Sequence, residues 1–106
     1  MFELENGFLT VFNKRKVDIS LELQIGDIVI STMGRDKNSY FIVVEIEENY
    51  VYLVDGSIRK IDRPKKKKIK HIELTSFHEE NIASKVINKH KITNQDIKKA
   101  LRAILK

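Results

Sequence analysis

Between residues 26 and 74, short runs of β-branched, aromatic and aliphatic residues alternate with compact turn signals, and this spacing constrains the fold more than any other feature. The runs predicted to form strands are Asp27 to Thr32, Tyr40 to Val44, Tyr50 to Val54, Ser57 to Asp62 and Ile69 to Leu74. The connections between them are short and rich in turn-forming residues. Five short strands so close together favour a small barrel, because closure protects the edges of such a small sheet.

After Thr75 the hydrophobic period changes to that of a helix. Ser76 and Glu79 form a capping-box pattern that predicts the start of a first helix, and Thr93 and Asp96 predict the start of a second. The two apolar stripes are Ile82, Ala83, Val86 and Ile87, and then Ile97, Ala100, Leu101, Ile104 and Leu105. Helices of about twelve residues rarely persist alone, so these stripes are expected to pack on each other or on the barrel.

The chain therefore divides into three predicted parts. Residues 1–23 form an N-terminal extension, residues 24–75 the barrel, and residues 76–106 a helical hairpin tail. In the extension, the alternation around Phe2 and Leu4 before Asn6-Gly7 favours a β-hairpin. A disordered leader is an equally good interpretation of the same residues.

The net charge of +5 is unevenly distributed. Residues 1–57 hold 5 basic and 10 acidic side chains, residues 58–75 hold 8 and 2, and residues 76–106 hold 7 and 3. This asymmetry predicts a localised electropositive face, for which phosphate backbones are the commonest partner. An anionic membrane surface is a weaker alternative, because it normally requires an amphipathic helix with large apolar anchors.

Composition also indicates the cellular compartment. The chain has no cysteine, which excludes disulfide frameworks and cysteine metal sites and fits a reducing compartment. Its apolar runs, such as Phe41 to Val44, fall far short of the ~20 residues that cross a bilayer. No secretory signal pattern is visible in residues 1–20. We expect a cytoplasmic protein with no membrane partner.

The densest charge lies between Arg59 and Lys70, where eight cations accompany a single carboxylate, Asp62. Lysine runs are often only solvated surface, but this one lies between two predicted strands, where Ile61 and Ile69 can anchor it. We therefore predict contact with a polyanion. If four of these side chains neutralise phosphates, log affinity should fall with log salt at a slope of about −3.

The segment from Gly26 to Lys37, followed by the apolar run Tyr40 to Val44, resembles a KOW motif, the strand-loop-strand unit of several ribosomal proteins and transcription factors. The loop glycine of that motif matches Gly34, which can take positive φ and turn the chain tightly. Many KOW loops have a second glycine where this chain has Asn38. Asparagine tolerates left-handed geometry well, so the loop is expected to be retained.

Residues further along the chain make the resemblance to KOW proteins more specific. Val54-Asp55-Gly56 and the segment from Arg63-Pro64 through the lysine run resemble the small KOW-domain RNA-binding proteins of Gram-positive bacteria. Those proteins are similar to a KOW-type large-subunit ribosomal protein of archaea and eukaryotes. The resemblance covers roughly residues 18–106. It implies a mainly β fold, a small SH3-like (KOW) barrel of about five strands with a C-terminal two-helix tail. It further implies binding to structured RNA, in particular ribosomal RNA, with ribosomal proteins as further partners.

The resemblance and the charge pattern together predict the RNA-binding residues. The loop contributes Gly34, Arg35, Asp36, Lys37 and Asn38. The basic segment contributes Arg59, Lys60, Arg63, Lys65, Lys66, Lys67, Lys68, Lys70 and His71. Phosphate contacts of this kind position a protein without reading sequence, so RNA shape is expected to supply specificity. Tyr40, Tyr50 and Tyr52 are candidates for base stacking, against the alternative that they are core or rim residues of the strands.

No pattern in the chain predicts catalysis. The spacings of His71, His78 and His90 match no familiar metal-ligand pattern. Glu45 and Glu47 fall on one face of a predicted strand, where carboxylates usually face solvent. Neither a nucleophile elbow nor a phosphate-binding loop nor a dinucleotide fingerprint is present. We predict a non-enzymatic protein with no metal, no cofactor and no small-molecule substrate.

The alternative function is a protein-interaction module of the transcription or translation machinery, because a fold of this kind does not determine its partner. The helical tail, or a sheet edge offered by residues 1–17, would then carry the binding. Salt discriminates between the two functions. RNA binding should weaken steeply as salt rises, whereas an apolar protein contact should persist.

Overall fold

The computed structural model describes residues 19–105, which form five strands and two helices. The strands are β1 (Asp27–Ser31), β2 (Tyr40–Ile46), β3 (Tyr50–Val54), β4 (Lys65–Lys68) and β5 (Ile72–His78). The helices are α1 (Glu80–Ile87) and α2 (Asn94–Ile104), and single 3₁₀ turns lie at Ile19–Leu21 and Ile69–His71. The hairpin or disordered leader predicted within residues 1–17 lies outside the described residues.

All neighbouring strands are antiparallel, in the order β4-β3-β2-β1-β5. The two edge strands are consecutive in the chain and are joined only by the turn Ile69–His71. In a flat sheet these edges would lie roughly 19 Å apart, whereas three residues of 3₁₀ helix advance roughly 6 Å. The sheet therefore curls on itself, as an SH3-like barrel requires. This curled sheet with two C-terminal helices confirms the predicted mainly β fold class.

Hydrophobic clusters lie on both sides of the sheet. The cluster inside the curve consists of Leu23, Val29, Phe41, Val43, Val51, Leu53, Ile69 and Ile72. On the outer side, Ile28, Ile42 and Val54 of the sheet pack with Ile82, Ile97, Ala100 and Leu101 of the helices. Strands β1 and β2 are thus buried on both faces, which is why Phe41 to Val43 is a continuous apolar run rather than an alternating one. The expected packing of the helical stripes is confirmed for most of their residues, whereas Ile87 and Leu105 are exposed.

Two glycines let the helices approach the sheet closely. A Cβ added at Gly26 would lie 2.7 Å from the Cβ of Ala83, and one at Gly56 would lie 2.5 Å from the carbonyl oxygen of Asn94. The capping box predicted for the second helix is present, with reciprocal hydrogen bonds between Thr93 and Asp96 at 3.0 and 3.1 Å. Within residues 19–105, neither helix has the length and apolarity needed to cross a membrane.

The strand predicted over residues 57–62 was wrong. The carboxylate of Asp55 accepts hydrogen bonds from the backbone N–H groups of Ser57 and Arg59 at 2.9 and 2.8 Å, and these bonds fold the segment into a turn. Ile58, which made the segment look apolar, is 85% exposed. The fourth strand is instead the lysine run itself, paired with β3 from Leu53 opposite Lys65 to Tyr50 opposite Lys68.

The capping box predicted at Ser76 was also wrong. Ser76, Phe77 and His78 belong to β5, and α1 begins at Glu80, with no side-chain cap from Glu79. Pairing with β1 extends the last strand, because Asp27 lies opposite His78 and Glu79 N–H donates to the carbonyl of Gly26 at 2.9 Å. A ladder of cross-strand bonds outweighed one local capping signal. The strand therefore continues three residues past the predicted end of the barrel at residue 75.

Candidate nucleic-acid interface

The β1–β2 loop, residues 32–39, turns tightly at two residues with positive φ. Gly34 has a φ of +92° and Asn38 a φ of +75°. The backbone N–H of Asn38 donates to the carbonyl of Ser31 at 2.7 Å, which closes the loop at its base. The prediction that asparagine would take the left-handed conformation is confirmed.

A buried ammonium ties this loop to β4. The Nζ of Lys67 lies 2.7 Å from Oδ1 of Asp36 and 2.8 Å from the carbonyl oxygen of Met33. Ser31, which is fully buried, donates its hydroxyl to the same Asp36 oxygen at 2.7 Å. We call Ser31, Asp36 and Lys67 the latch. It joins segments that lie 31 positions apart in the sequence.

The latch engages two of the predicted contact residues, Asp36 and Lys67. Lys67 is only 8% exposed and its ammonium is already paired, so it does not present a charge to a ligand. Asp36 is likewise engaged, and Lys65 Nζ lies 3.6 Å from its second oxygen. Asp36 and Lys67 therefore hold the loop in shape rather than face outward.

The pKa of Asp36 reflects these contacts. Its partial burial acts to raise the pKa, but hydrogen bonds from Lys67 and Ser31 and the charges of Lys67 and Lys65 act in the opposite direction and prevail. The net result is a pKa below the ordinary value of 3.8. The Asp36 carboxylate is therefore ionised at neutral pH.

Strand alternation divides the four lysines of β4 into two pairs. Lys65 and Lys67 turn towards Asp36, whereas Lys66 and Lys68 are exposed on the other side. In the β3–β4 register, Lys66 lies opposite Tyr52, and Lys68 lies opposite Tyr50. A run of four identical residues thus carries two different roles.

The tyrosines also separate into two groups. Tyr40 packs against the outer hydrophobic cluster beneath the helices. Tyr50 and Tyr52 are half-buried on the exposed side of β3, and the Tyr52 hydroxyl donates to Glu47 at 3.1 Å. Lys66 Nζ lies 4.5 Å from the centroid of the Tyr50 ring. Two of the three candidate stacking residues are therefore rim residues beside exposed lysines.

Hydrogen bonds hold the β3–β4 loop, residues 55–64. Besides the two hydrogen bonds accepted by the Asp55 carboxylate, the N–H groups of Asp55 and Gly56 donate to the carbonyl of Arg59 at 2.9 and 3.1 Å. The side-chain oxygen of Asn94 in α2 accepts from Ile61 N–H at 2.9 Å. Sequence reasoning missed Asn94, because nothing in its local pattern indicates a contact 33 residues away.

The remaining predicted contact residues lie on or beside these elements. Arg35, Lys37, Lys60, Arg63 and Lys70 are exposed, and Arg59 and His71 are partly exposed. The carbonyl of His71 accepts from Thr32 N–H at 2.9 Å, so the turn after β4 lies at the start of the β1–β2 loop. Exposed cations of the β1–β2 loop, β4 and this turn therefore lie on segments that meet at the latch, an arrangement suited to binding a polyanion.

A second charged contact was not expected from the sequence. His78 Nδ1 lies 2.7 Å from Asp27 and its Nε2 lies 3.0 Å from Glu80. The hydrogen bond to Asp27 raises the pKa of His78 above 6.5, against the opposing effect of burial, and Glu80 adds to the increase. This contact joins β1, β5 and α1. Within residues 19–105, no group of three or more histidine or acidic residues has an arrangement that could hold a metal ion.

Comparison with known proteins does not add a family assignment. No protein-family model matches the chain, and no curated protein matches its sequence. The resemblance to KOW-domain proteins therefore stays a prediction from the residues that carry it.

Proposed function

We propose that the protein binds structured RNA, in particular ribosomal RNA, through a basic surface formed by the β1–β2 loop, the β3–β4 loop and β4. It is a non-catalytic KOW-type protein that associates with ribosomes in the cytoplasm. Ribosomal proteins are its further partners, and it requires no metal, cofactor or small-molecule substrate.

The observation that carries this proposal is the contact of Lys67 with the β1–β2 loop. Arg35 and Lys37 flank Asp36 in the chain, so the latch holds them beside the strand that bears Lys65 and Lys66. Cations from distant parts of the sequence then contribute to one local field, and such fields attract phosphate backbones.

The residues proposed to contact phosphates are those with exposed or partly exposed charge. They are Arg35, Lys37, Arg59, Lys60, Arg63, Lys65, Lys66, Lys68, Lys70 and His71. Gly34, Asp36, Asn38 and Lys67 are proposed to shape the loop instead. Because lysine contacts to phosphate carry no base information, the protein should select RNA by shape more than by sequence.

The test compares two variants that each lose three positive charges. The loop variant carries Arg35→Ala, Lys37→Ala and Lys60→Ala, and the control variant carries Lys89→Ala, Lys99→Ala and Arg102→Ala outside the proposed surface. Binding of a structured ribosomal RNA fragment is measured over a salt series. The loop variant should bind more weakly, and its slope of log affinity against log salt should be flatter by about 2–3. The control should keep the wild-type slope.

If both variants had the same slope of log affinity against log salt, the positive charge would act without a defined binding surface. If the wild-type protein does not bind RNA at low salt, the proposal fails, and the protein-interaction alternative becomes the better one. That alternative has only part of the helical stripes available, since Ile82, Ile97 and Leu101 are already buried against the sheet while Ile87 and Leu105 are exposed.

A further inference from the structure

The exposed side of β3 and β4 carries aromatic side chains that have no part in the phosphate contacts. Val51 and Leu53 are fully buried in the inner cluster, so strand alternation turns Tyr50 and Tyr52 outward. Both tyrosines are partly buried on the sheet, so part of each side chain is accessible. Alternate residues of a strand are roughly 6.6 Å apart, so each ring can accept its own stacking partner.

Positive charge lies on one side of these rings. Lys66 and Lys68 are the cross-strand neighbours of Tyr52 and Tyr50, and both are exposed. Lys66 Nζ is 4.5 Å from the Tyr50 centroid and 5.9 Å from the Tyr52 centroid. An exposed cation–π contact of this kind is weak. The ammonium can therefore leave the ring for a phosphate when a base arrives.

Two carboxylates, those of Glu47 and Glu45, also lie near these rings. The carboxylate of Glu47 accepts from the Tyr52 hydroxyl at 3.1 Å and lies 3.6 Å from Lys66 Nζ. Glu45 lies opposite Tyr52 in the β2–β3 register and is also exposed. A nucleic acid strand lying across the rings would thus place its phosphates over β4, away from Glu45 of β2, and Lys66 would exchange the Glu47 carboxylate for a phosphate.

We propose that Tyr50 and Tyr52 form a stacking platform for unpaired bases of the bound RNA, with Lys66 and Lys68 neutralising the adjacent phosphates. The inference rests on the proposed function and specifies it. The ligand is RNA with a single-stranded segment, because bases inside a duplex have both faces covered by their neighbours. Stacking on aromatic side chains accepts any base, so the platform adds affinity without sequence preference.

The test uses tyrosine variants of the full chain. Tyr50→Leu/Tyr52→Leu keeps apolar bulk but removes the π faces, and Tyr50→Phe/Tyr52→Phe keeps the rings. Each is titrated with an oligoadenylate and with an RNA duplex of equal length. The leucine variant should lose about tenfold or more in affinity for the single strand. Its salt slope should be unchanged, because no phosphate contact is removed. The phenylalanine variant should bind as the wild type does.

Fluorescence gives a second measurement on the unaltered protein. The chain has no tryptophan and three tyrosines, of which Tyr40 packs beneath the helices. Stacking on Tyr50 and Tyr52 should therefore quench most of the tyrosine emission when the oligoadenylate binds. Absence of quenching at saturation would overturn the platform. If the double leucine variant proves unstable, Tyr50→Leu and Tyr52→Leu tested singly should each show part of the loss.

The outcomes separate this inference from the proposed function. If the leucine variant binds both RNAs as the wild type does while the loop variant loses binding, the platform is wrong and the basic surface stands. If leucine and phenylalanine variants lose affinity equally, the rings do not stack and the platform again fails. If the wild type binds neither RNA, both proposals fail together.

Discussion

The β1–β2 loop and the β3–β4 loop carry the same kinds of residue but are held by different forces. Each has a glycine at positive φ, Gly34 at +92° and Gly56 at +79°, and each bears exposed cations. A buried ion pair to β4 holds the first loop. The Asp55 carboxylate, backbone bonds and the side chain of Asn94 hold the second.

The difference shows that a cation that organises a surface is unavailable for binding. Lys67 of β4 is used in the latch that holds the first loop. The hydrogen bonds that hold the second loop involve none of the cationic side chains of that loop. A count of basic residues in the sequence therefore overstates the number available to a ligand. The difference also predicts that different substitutions destabilise the two loops.

The largest expected effect comes from breaking the latch. Asp36→Ala leaves the Lys67 ammonium buried without its counter-charge and should lower the free energy of unfolding by about 3 kcal/mol. Asp62→Ala, which removes an exposed carboxylate from the second loop, should cost less than ~0.5 kcal/mol. Urea unfolding of both variants measures the difference, and equal losses would show that the latch is not a stabilising contact.

A double variant sharpens that result. Asp36→Leu/Lys67→Met replaces the ion pair with apolar side chains and should recover most of the stability lost in Asp36→Ala. If it instead unfolds as readily as the single variant, the contacts of Ser31 and Met33, rather than the charge pair, dominate this region.

The next largest effect compares the two glycines. Gly34→Ala should cost about 1 kcal/mol, because it adds only the strain of a left-handed alanine and ordinary contacts at 3.6 Å. Gly56→Ala adds the same strain together with a Cβ only 2.5 Å from the carbonyl oxygen of Asn94. Its cost should be about 2–3 kcal/mol. Thermal unfolding ranks the pair, and a reversed order would contradict the close packing of α2 on the second loop.

A smaller effect tests the helix contact alone. Asn94→Ala removes the acceptor for Ile61 N–H and should cost about 1 kcal/mol. Hydrogen exchange should accelerate at Ile61 and stay unchanged at Asn38 in the first loop. Gln95→Ala, an exposed neighbour on the same helix, is the control and should alter neither amide. Faster exchange in both loops would show that they open together.

The smallest expected effect is the pH dependence that Asp36 of the first loop contributes. Because the folded pKa of Asp36 lies below its unfolded value of 3.8, the stability that it contributes is complete above about pH 5. That contribution is lost as the pH falls through the folded pKa. Between pH 5 and pH 3 the wild type should therefore lose more stability than Asp36→Asn. Parallel pH profiles would mean that Asp36 titrates alike in the folded and unfolded chain.

Local chemistry in the sequence determined much of the fold. The apolar runs of β1, β2 and β3, the capping box at Thr93 and the left-handed Asn38 were all predictable, because each depends on residues within a few positions of one another. The exposed loop cations were also predictable, since charge at a glycine-containing turn rarely becomes buried.

Only the tertiary structure decided the rest. Lys65–Lys68 has no apolar pattern and becomes a strand because β3 offers it a partner. Ser76 to His78 likewise join β5 because β1 lies beside them, despite a local helix signal. The roles of Lys66 and Lys67 diverge because adjacent residues of a strand point to opposite sides, and one side meets Asp36 while the other meets solvent. Pairing partners and burial depend on contacts between distant residues, and for that reason identical neighbours in the sequence could not be told apart before folding.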